Sequence, residues 1–209
     1  MTQAAHAAAF TNGSFELGPT SGANLGIGST AITGWTVFGH DVDYVFSLWQ
    51  TTDGTKSLDL NGGSIGGIAQ TFDTVVGTTY RVLFDLAGNP AGIPAVKTLG
   101  VLAVSGTPQD LLNPALVPQA FTFDITGKTF ASMGWQPQAY EFTATTASTT
   151  LGFFSSAGGS FGPALDNVRV TTSSPSPSPT SVPTPALLPG LIGMGLAAWR
   201  KRQGELQAD

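Results

Sequence analysis

Cysteine is absent from this chain of 209 residues, which excludes disulfides and thiolate metal centres. Its absence leaves export open, because a chain of this length can stand on its own hydrophobic core. Charge is scarce too. Asp, Glu, Lys and Arg make up 10% of residues, against about 25% in ordinary soluble domains. The basic side is the poorer one, with 8 Lys and Arg against 13 Asp and Glu and a net charge of −5. Between Thr11 and Thr172 the basic residues are Lys56, Arg81, Lys97, Lys128 and Arg169. So few cations cannot neutralise a run of phosphates, and no nucleic-acid partner is expected. Also missing is any long stretch with apolar side chains at helical spacing.

What the chain does have is 27 Gly, 14 Pro and 41% hydrophobic residues. Low net charge with this much apolar content excludes intrinsic disorder. Gly, Thr, Ser, Val and Phe in excess point to short strands joined by tight turns. Thr78 to Phe84 alternates, with Tyr80, Val82 and Phe84 on one face. Ala120 to Ile125, Ala139 to Thr145, Thr149 to Phe154 and Ala164 to Val170 read the same way. Earlier strand candidates are Ile32 to Phe38, Val42 to Trp49, Ser57 to Leu60 and Ile68 to Phe72, with a turn and short strand at Thr11 to Glu16. Asp53-Gly54, Asn61-Gly62-Gly63, Gly88-Asn89-Pro90, Thr107-Pro108 and Gly158-Gly159 are turn signals between them. The expected fold is an all-β antiparallel sandwich over residues 11–172.

At Ser173 the composition changes. Residues 173–184 form a Pro/Ser linker that has nothing to bury. Residues 185–209 open with an uncharged apolar run ending at Trp199, followed by Arg200, Lys201 and Arg202. That run is shorter than the ~20 residues that span a bilayer comfortably. Its boundary Trp and basic cluster fit transient insertion into the inner membrane through 185–202. An amphipathic docking helix is the other reading, weakened by the lack of a polar face. Residues 1–10 are small and apolar and read either as a secretory-signal remnant or as a disordered tail.

Pro183-Thr184-Pro185-Ala186, the Gly-rich apolar segment and Arg200-Lys201-Arg202 together resemble the PEP-CTERM class of sorting signals, in a cyanobacterial-looking variant. That resemblance implies export, a transient membrane anchor and an exosortase-type transpeptidase as partner. The folded region resembles the choice-of-anchor C family of bacterial surface domains, with a galactose-binding-like jelly roll. Asn12-Gly-Ser-Phe-Glu16, Ile32-Thr-Gly-Trp-Thr-Val37, Asp41-Val-Asp-Tyr44, Ser57-Leu-Asp-Leu-Asn61 and Gly162-Pro-Ala-Leu-Asp-Asn-Val168 carry it. The family comes with no established activity.

In carbohydrate-binding jelly rolls of this look, the opening Glu and an Asp near the last strand help hold a structural calcium. The resemblance therefore implies calcium at Glu16 and Asp166. The ion takes six to eight oxygen ligands, and carboxylates with turn carbonyls supply them. The alternative is that both carboxylates face solvent or accept backbone N–H groups. Asp41 and Asp43 lie two residues apart, hence on one face of a strand, as do Asp59 and Asn61. The resemblance places these pairs together with Asn89 and Gln70, as a structural network or a ligand site.

Trp49, Trp135 and Tyr44 are the large aromatics considered for a ligand surface. Trp49 and Trp135 lie beside turns, where a sugar's C–H face could stack on an exposed ring; packing into the core or rim is the commoner fate. Trp35 reads as core. Gly62-Gly-Ser-Ile-Gly66 matches a nucleophile elbow, but no helix follows and His40 precedes it. The expected function is non-catalytic binding of an exopolysaccharide or cell-wall glycan at the cell surface or in the extracellular matrix. A structural or adhesive matrix protein is the alternative, and a glycan-active enzyme a distant third.

Overall fold

The computed structural model describes residues 9–156 and 158–173. Two antiparallel sheets make a β-sandwich, as the strand pattern predicts, and a jelly roll, as the resemblance implies. One holds six strands in the order β1 (Ala23–Gly26), β3 (Asp41–Phe46), β4 (Lys56–Asp59), β11 (Pro163–Thr172), β6 (Thr79–Gly88) and β9 (Gln136–Thr143). The other holds five, in the order β2 (Thr36–Gly39), β5 (Gly66–Asp73), β10 (Ser148–Ser155), β7 (Val96–Val104) and β8 (Gln119–Asp124). A short 3-10 turn, Pro108–Leu112, is the only helical element among the described residues.

Period-two patterning explains the core. Val82, Phe84 and Leu86 alternate along β6 and are buried, as are Val42 and Tyr44 on β3 and Leu58 on β4. They share one cluster with Ile68, Leu99, Val101, Leu151 and Phe153 of the other sheet. Phe84 and Phe153 meet edge to face with ring centroids 5.2 Å apart. Each such side chain contributes about 1.5–3 kcal/mol on burial, before the entropy of ordering it.

The sandwich is closed at one end by residues 10–16. Trp35 is buried there as expected, packs on Phe10 and Phe15, and donates its indole N–H to the Asn12 carbonyl at 2.9 Å. The sequence predicts a strand in this stretch, but it is an irregular turn. Asn12 and Phe15 both have positive φ, 51° and 59°, which breaks the pleat while still sending Phe15 into the core. Gln70 ties the segment down by accepting the Thr11 N–H and donating to the Thr11 carbonyl.

Three further boundaries differ from expectation. The Ile32 strand starts only at Thr36, because Gly34 sits at φ 85° in a turn. The Val42 strand stops at Phe46, and Ser47 at φ 56° opens a loop that holds Trp49. Strands β1 and β7 were not expected at all. The first is four residues at a sheet edge, and the second is a mixed run whose buried positions do not alternate.

Candidate functional site

Two polar regions flank the loop between β3 and β4, and they differ in how their oxygens are used. The first is a clasp. The Glu16 carboxylate accepts the N–H groups of Thr55 at 2.8 Å and Lys56 at 2.7 Å, and the Thr55 hydroxyl. Lys56 Nζ returns a bond to the Glu16 carbonyl at 2.8 Å. Asp166 accepts the N–H groups of Thr52 and Asp53 and the Thr52 hydroxyl on one oxygen, and the Asn167 N–H on the other. Two carboxylates from opposite ends of the domain thus grip one loop at two points.

The opening turn and the last strand meet beside it. Val168 N–H donates to the Gly13 carbonyl at 2.8 Å, where a bulge interrupts β11 between Asp166 and Arg169. Position 13 has to be glycine, because a Cβ there would lie 1.8 Å from the Val168 carbonyl oxygen. Gly54 is constrained twice, by a φ of 63° and by Glu16 Oε1 2.4 Å from where a Cβ would sit. Burial pushes Asp166 up to about 6, against the lowering effect of its Thr52, Asp53 and Asn167 bonds.

This arrangement does not fit the calcium ion that the resemblance implies. The two carboxylates are bonded to N–H and O–H donors, where a calcium shell needs converging oxygens. Among the described residues no three His, Asp or Glu side chains converge as metal ligands. Glu16 and Asp166 therefore hold one loop at two points as hydrogen-bond acceptors.

The second region is an open cleft of about 320 Å³ lined by residues of β1, β3 and β4 with Leu48, Trp49 and Asn89. Antiparallel register assembles it. Asn24 lies opposite Asp43, and Asp43 lies opposite Asp59. Tyr44 and Leu58 point into the core, so Asp43 and Asp59 point outward. Asn24 Nδ2 donates to Asp43 Oδ1 and to Asp41 Oδ2, both at 2.9 Å. Asn89 Nδ2 donates to Asp59 Oδ2 at 2.7 Å, and Asp59 Oδ1 accepts the N–H groups of Asn61 and Gly162. Phe46 and Leu48 are 41% and 55% exposed and supply the apolar wall.

Burial pushes Asp59 up to about 7, opposed by its Asn89, Asn61 and Gly162 bonds and reinforced by Asp43. Asp41 goes the other way. Burial works against its charge, but Gly63, His40, Asn24 and Ser64 together outweigh that and hold it well below the usual carboxylate range.

The sequence candidates divide accordingly. Asp43 lines the cleft. Asp41 does not; it accepts the Gly63 and Ser64 N–H groups and orients Asn24 from behind. Tyr44 borders the cleft, but its ring is buried, and its hydroxyl donates to the Phe15 carbonyl at 2.6 Å. Trp49 is also buried rather than exposed, its indole N–H on the Ser57 hydroxyl at 2.7 Å, and it meets the cleft only as part of its floor. Trp135 is half-buried away from it and donates to the Gln50 carbonyl.

Asp59 and Asn89 form the expected network, while Gln70 belongs to the closed end. Asn24, Phe46 and Leu48 escaped the sequence reading, because strand register alone places them. Ser64 of the Gly62–Gly66 motif sits in a turn between two strands, without the helix an elbow needs. Pro183, Thr184, Pro185, Ala186, Arg200, Lys201 and Arg202 lie outside the described residues. Among the described residues no helix is long and apolar enough to cross a membrane.

A family model described as a protein of unknown function, DUF642, matches residues 8–171. The chain belongs to the DUF642 family. The resemblance to choice-of-anchor C domains covers the same span, but the family shown is DUF642. Halomucin of Haloquadratum walsbyi is 32% identical to this DUF642 chain over 164 residues, or 75% of this chain. The match spans 2% of Halomucin's length. Solved structures similar to it include a CBM35 from Paenibacillus barcinonensis, at 20% identity and a TM-score of 0.45, covering 72% of this chain and 99% of that one. A family 35 carbohydrate binding module from Clostridium thermocellum has 13% identity and a TM-score of 0.47, covering 74% and 100%. TmCBM61 in complex with beta-1,4-galactotriose has 10% identity and a TM-score of 0.43, covering 79% and 99%.

Proposed function

We propose that this DUF642 domain is a non-catalytic glycan-binding module whose site is the cleft on the outer face of the six-stranded sheet. The observation that carries this is the row of Asn24, Asp43 and Asp59 beside the exposed Phe46 and Leu48. A sugar offers hydroxyl donors on its edge and C–H groups on its faces, and this cleft offers acceptors beside an apolar wall. Such a mixture of apolar lining with a few fixed polar groups is what small-ligand sites share. Asp41 and Asn89 hold the first row in place, so little ordering is left to bind against.

Export follows in the same proposal. The segment from Pro183 to Arg202 would act as the sorting signal, anchor the chain transiently in the inner membrane and be processed by an exosortase-type transpeptidase. The module would then meet exopolysaccharide or cell-wall glycan outside the cell. Arg200, Lys201 and Arg202 changed together to Gln should leave the chain in a different cell fraction from the wild type; an unchanged fractionation rejects this part.

The site is tested on a glycan array with the full chain. Wild type should bind, and Asp43→Ala and Phe46→Ala should each lose about tenfold or more in affinity, the worth of roughly 1.4 kcal/mol. An array without binding rejects the glycan reading and favours a structural or adhesive matrix role. Release of reducing ends from a bound polysaccharide would instead make the domain an enzyme.

A further inference from the structure

The cleft's hydrogen-bonding capacity is lopsided. Asn24 gives both amide hydrogens away, one to Asp41 and one to Asp43, so only its carbonyl oxygen is left for a ligand. Asn89 gives one hydrogen to Asp59, and its carbonyl accepts the Ala91 N–H at 2.9 Å, which leaves one N–H. Asp43 uses one oxygen on Asn24 and keeps the other. The side chains of the row thus face a ligand with acceptors and a single donor.

No cation in the lining balances Asp43. Neither Lys nor Arg is among the residues that line the cleft. Two lysines of the domain place their ammonium groups on backbone carbonyls, although Lys97 still acts on the Asp59 charge. Lys56 donates to the Glu16 carbonyl, and Lys97 is buried with its ammonium on the carbonyls of Gly92 and Phe161, at 2.7 and 2.6 Å.

We infer that the cleft takes neutral glycans through their hydroxyl donors and rejects glycans that carry uronate or sulfate groups. This deepens the glycan reading above and rests on it. A hydroxyl can donate to Asn24 Oδ1 or Asp43 Oδ2 and so completes what the fold leaves open. A carboxylate or sulfate brings only acceptors and negative charge against the Asp43 carboxylate. Like-charge contacts of this kind cost several kcal/mol and are a common source of specificity.

The test uses matched probes: polygalacturonate and its carboxyl-reduced form, and glucuronoxylan and its carboxyl-reduced form. Affinity electrophoresis of the full chain is run with EDTA and again with calcium, so that an ion-bridged uronate would not be missed. The reduced form of a pair should bind at least about tenfold tighter than the acidic form in both conditions, given a cost of this size. Asp43→Asn keeps one acceptor oxygen and removes the charge, so the ratio should shrink by about threefold or more, with the domain still folded.

Equal or tighter binding of the acidic form overturns the inference and leaves the glycan reading standing. A ratio unchanged in Asp43→Asn also overturns it, because the selectivity then arises elsewhere. Absence of binding both here and on the array removes the glycan reading, and the inference with it.

Discussion

The clasp and the cleft are built from the same materials, Asp, Glu, Asn and Gly-rich turns, yet they end in opposite states. In the clasp the domain fills its own acceptors: Glu16 and Asp166 take four backbone N–H groups from one loop and a fifth from Asn167. In the cleft, acceptors on Asn24 and Asp43 are left for something else. Both regions act on the β3–β4 loop, one from each side. The clasp fixes the loop's end at Thr52 to Lys56, and the loop's beginning carries Leu48 and Trp49 into the cleft. Saturation thus marks structure, and unspent hydrogen-bonding capacity marks the candidate site.

The largest loss of stability is expected at the clasp. Gly13→Ala puts a methyl group on the Val168 carbonyl, and the turn must leave the bulge. Urea unfolding should show a loss on the order of 3–5 kcal/mol, the range of severe backbone and packing defects. A mutant within 1 kcal/mol of wild type (a rough margin for surface changes) would show that the close approach does not matter. Asp166→Ala comes next. It leaves the backbone N–H groups of Thr52, Asp53 and Asn167 and the Thr52 hydroxyl without their acceptor, at about 2–4 kcal/mol. Asp166→Asn should cost less, because burial already penalises the charge.

A smaller effect follows from titration. Asp59 and Asp166 are raised to about 7 and about 6, above the ~3.9 of an unfolded Asp. The folded state therefore binds more protons between these values. The stability this brings is full below pH ~4 and is lost as pH rises through 6 and 7. Asp41, held low, acts in the opposite sense, and its contribution fades only on acidification below the unfolded value. Thermal melts should thus show Tm falling from pH 5 to pH 8, by about 2–4 °C for each kcal/mol in a domain of this size. Asp59→Asn should flatten that slope. A Tm that rises across the same window contradicts the assignment.

The smallest effect concerns calcium. A clasp already filled by N–H donors predicts a Tm shift below about 1 °C on adding calcium to EDTA-treated protein, since stabilisation requires binding to the folded state. A larger shift would mean that the loop can turn carbonyls toward Glu16 and Asp166.

These contrasts also explain what could be read in advance. Alternation at Tyr80, Val82 and Phe84 identified a sandwich, because a half-buried strand writes its period into the sequence. The same rule placed Asp43 beside Asp41. It could not find β7, buried on both faces for part of its length, nor the turn at Phe15, whose positive φ carries no local signal. Glu16 and Asp166 could be paired from the ends of the domain, but not with the donors of Thr52 to Lys56. Trp49 sat beside a turn signal and looked exposed, yet its indole N–H found Ser57 and drew the ring inward. Asn24 entered the site only through register with Asp43, a relation between two strands that neither states alone.

In the proposed function the ligand meets the cleft, and not the clasp. This is tested by isothermal titration of the tightest-binding array glycan into Asp43→Ala and Asp166→Asn, at a temperature where both are folded. Asp43→Ala should lose affinity at least about tenfold with Tm nearly unchanged, and Asp166→Asn should keep wild-type affinity with Tm lowered. Full affinity in Asp43→Ala together with lost binding in Asp166→Asn would contradict it.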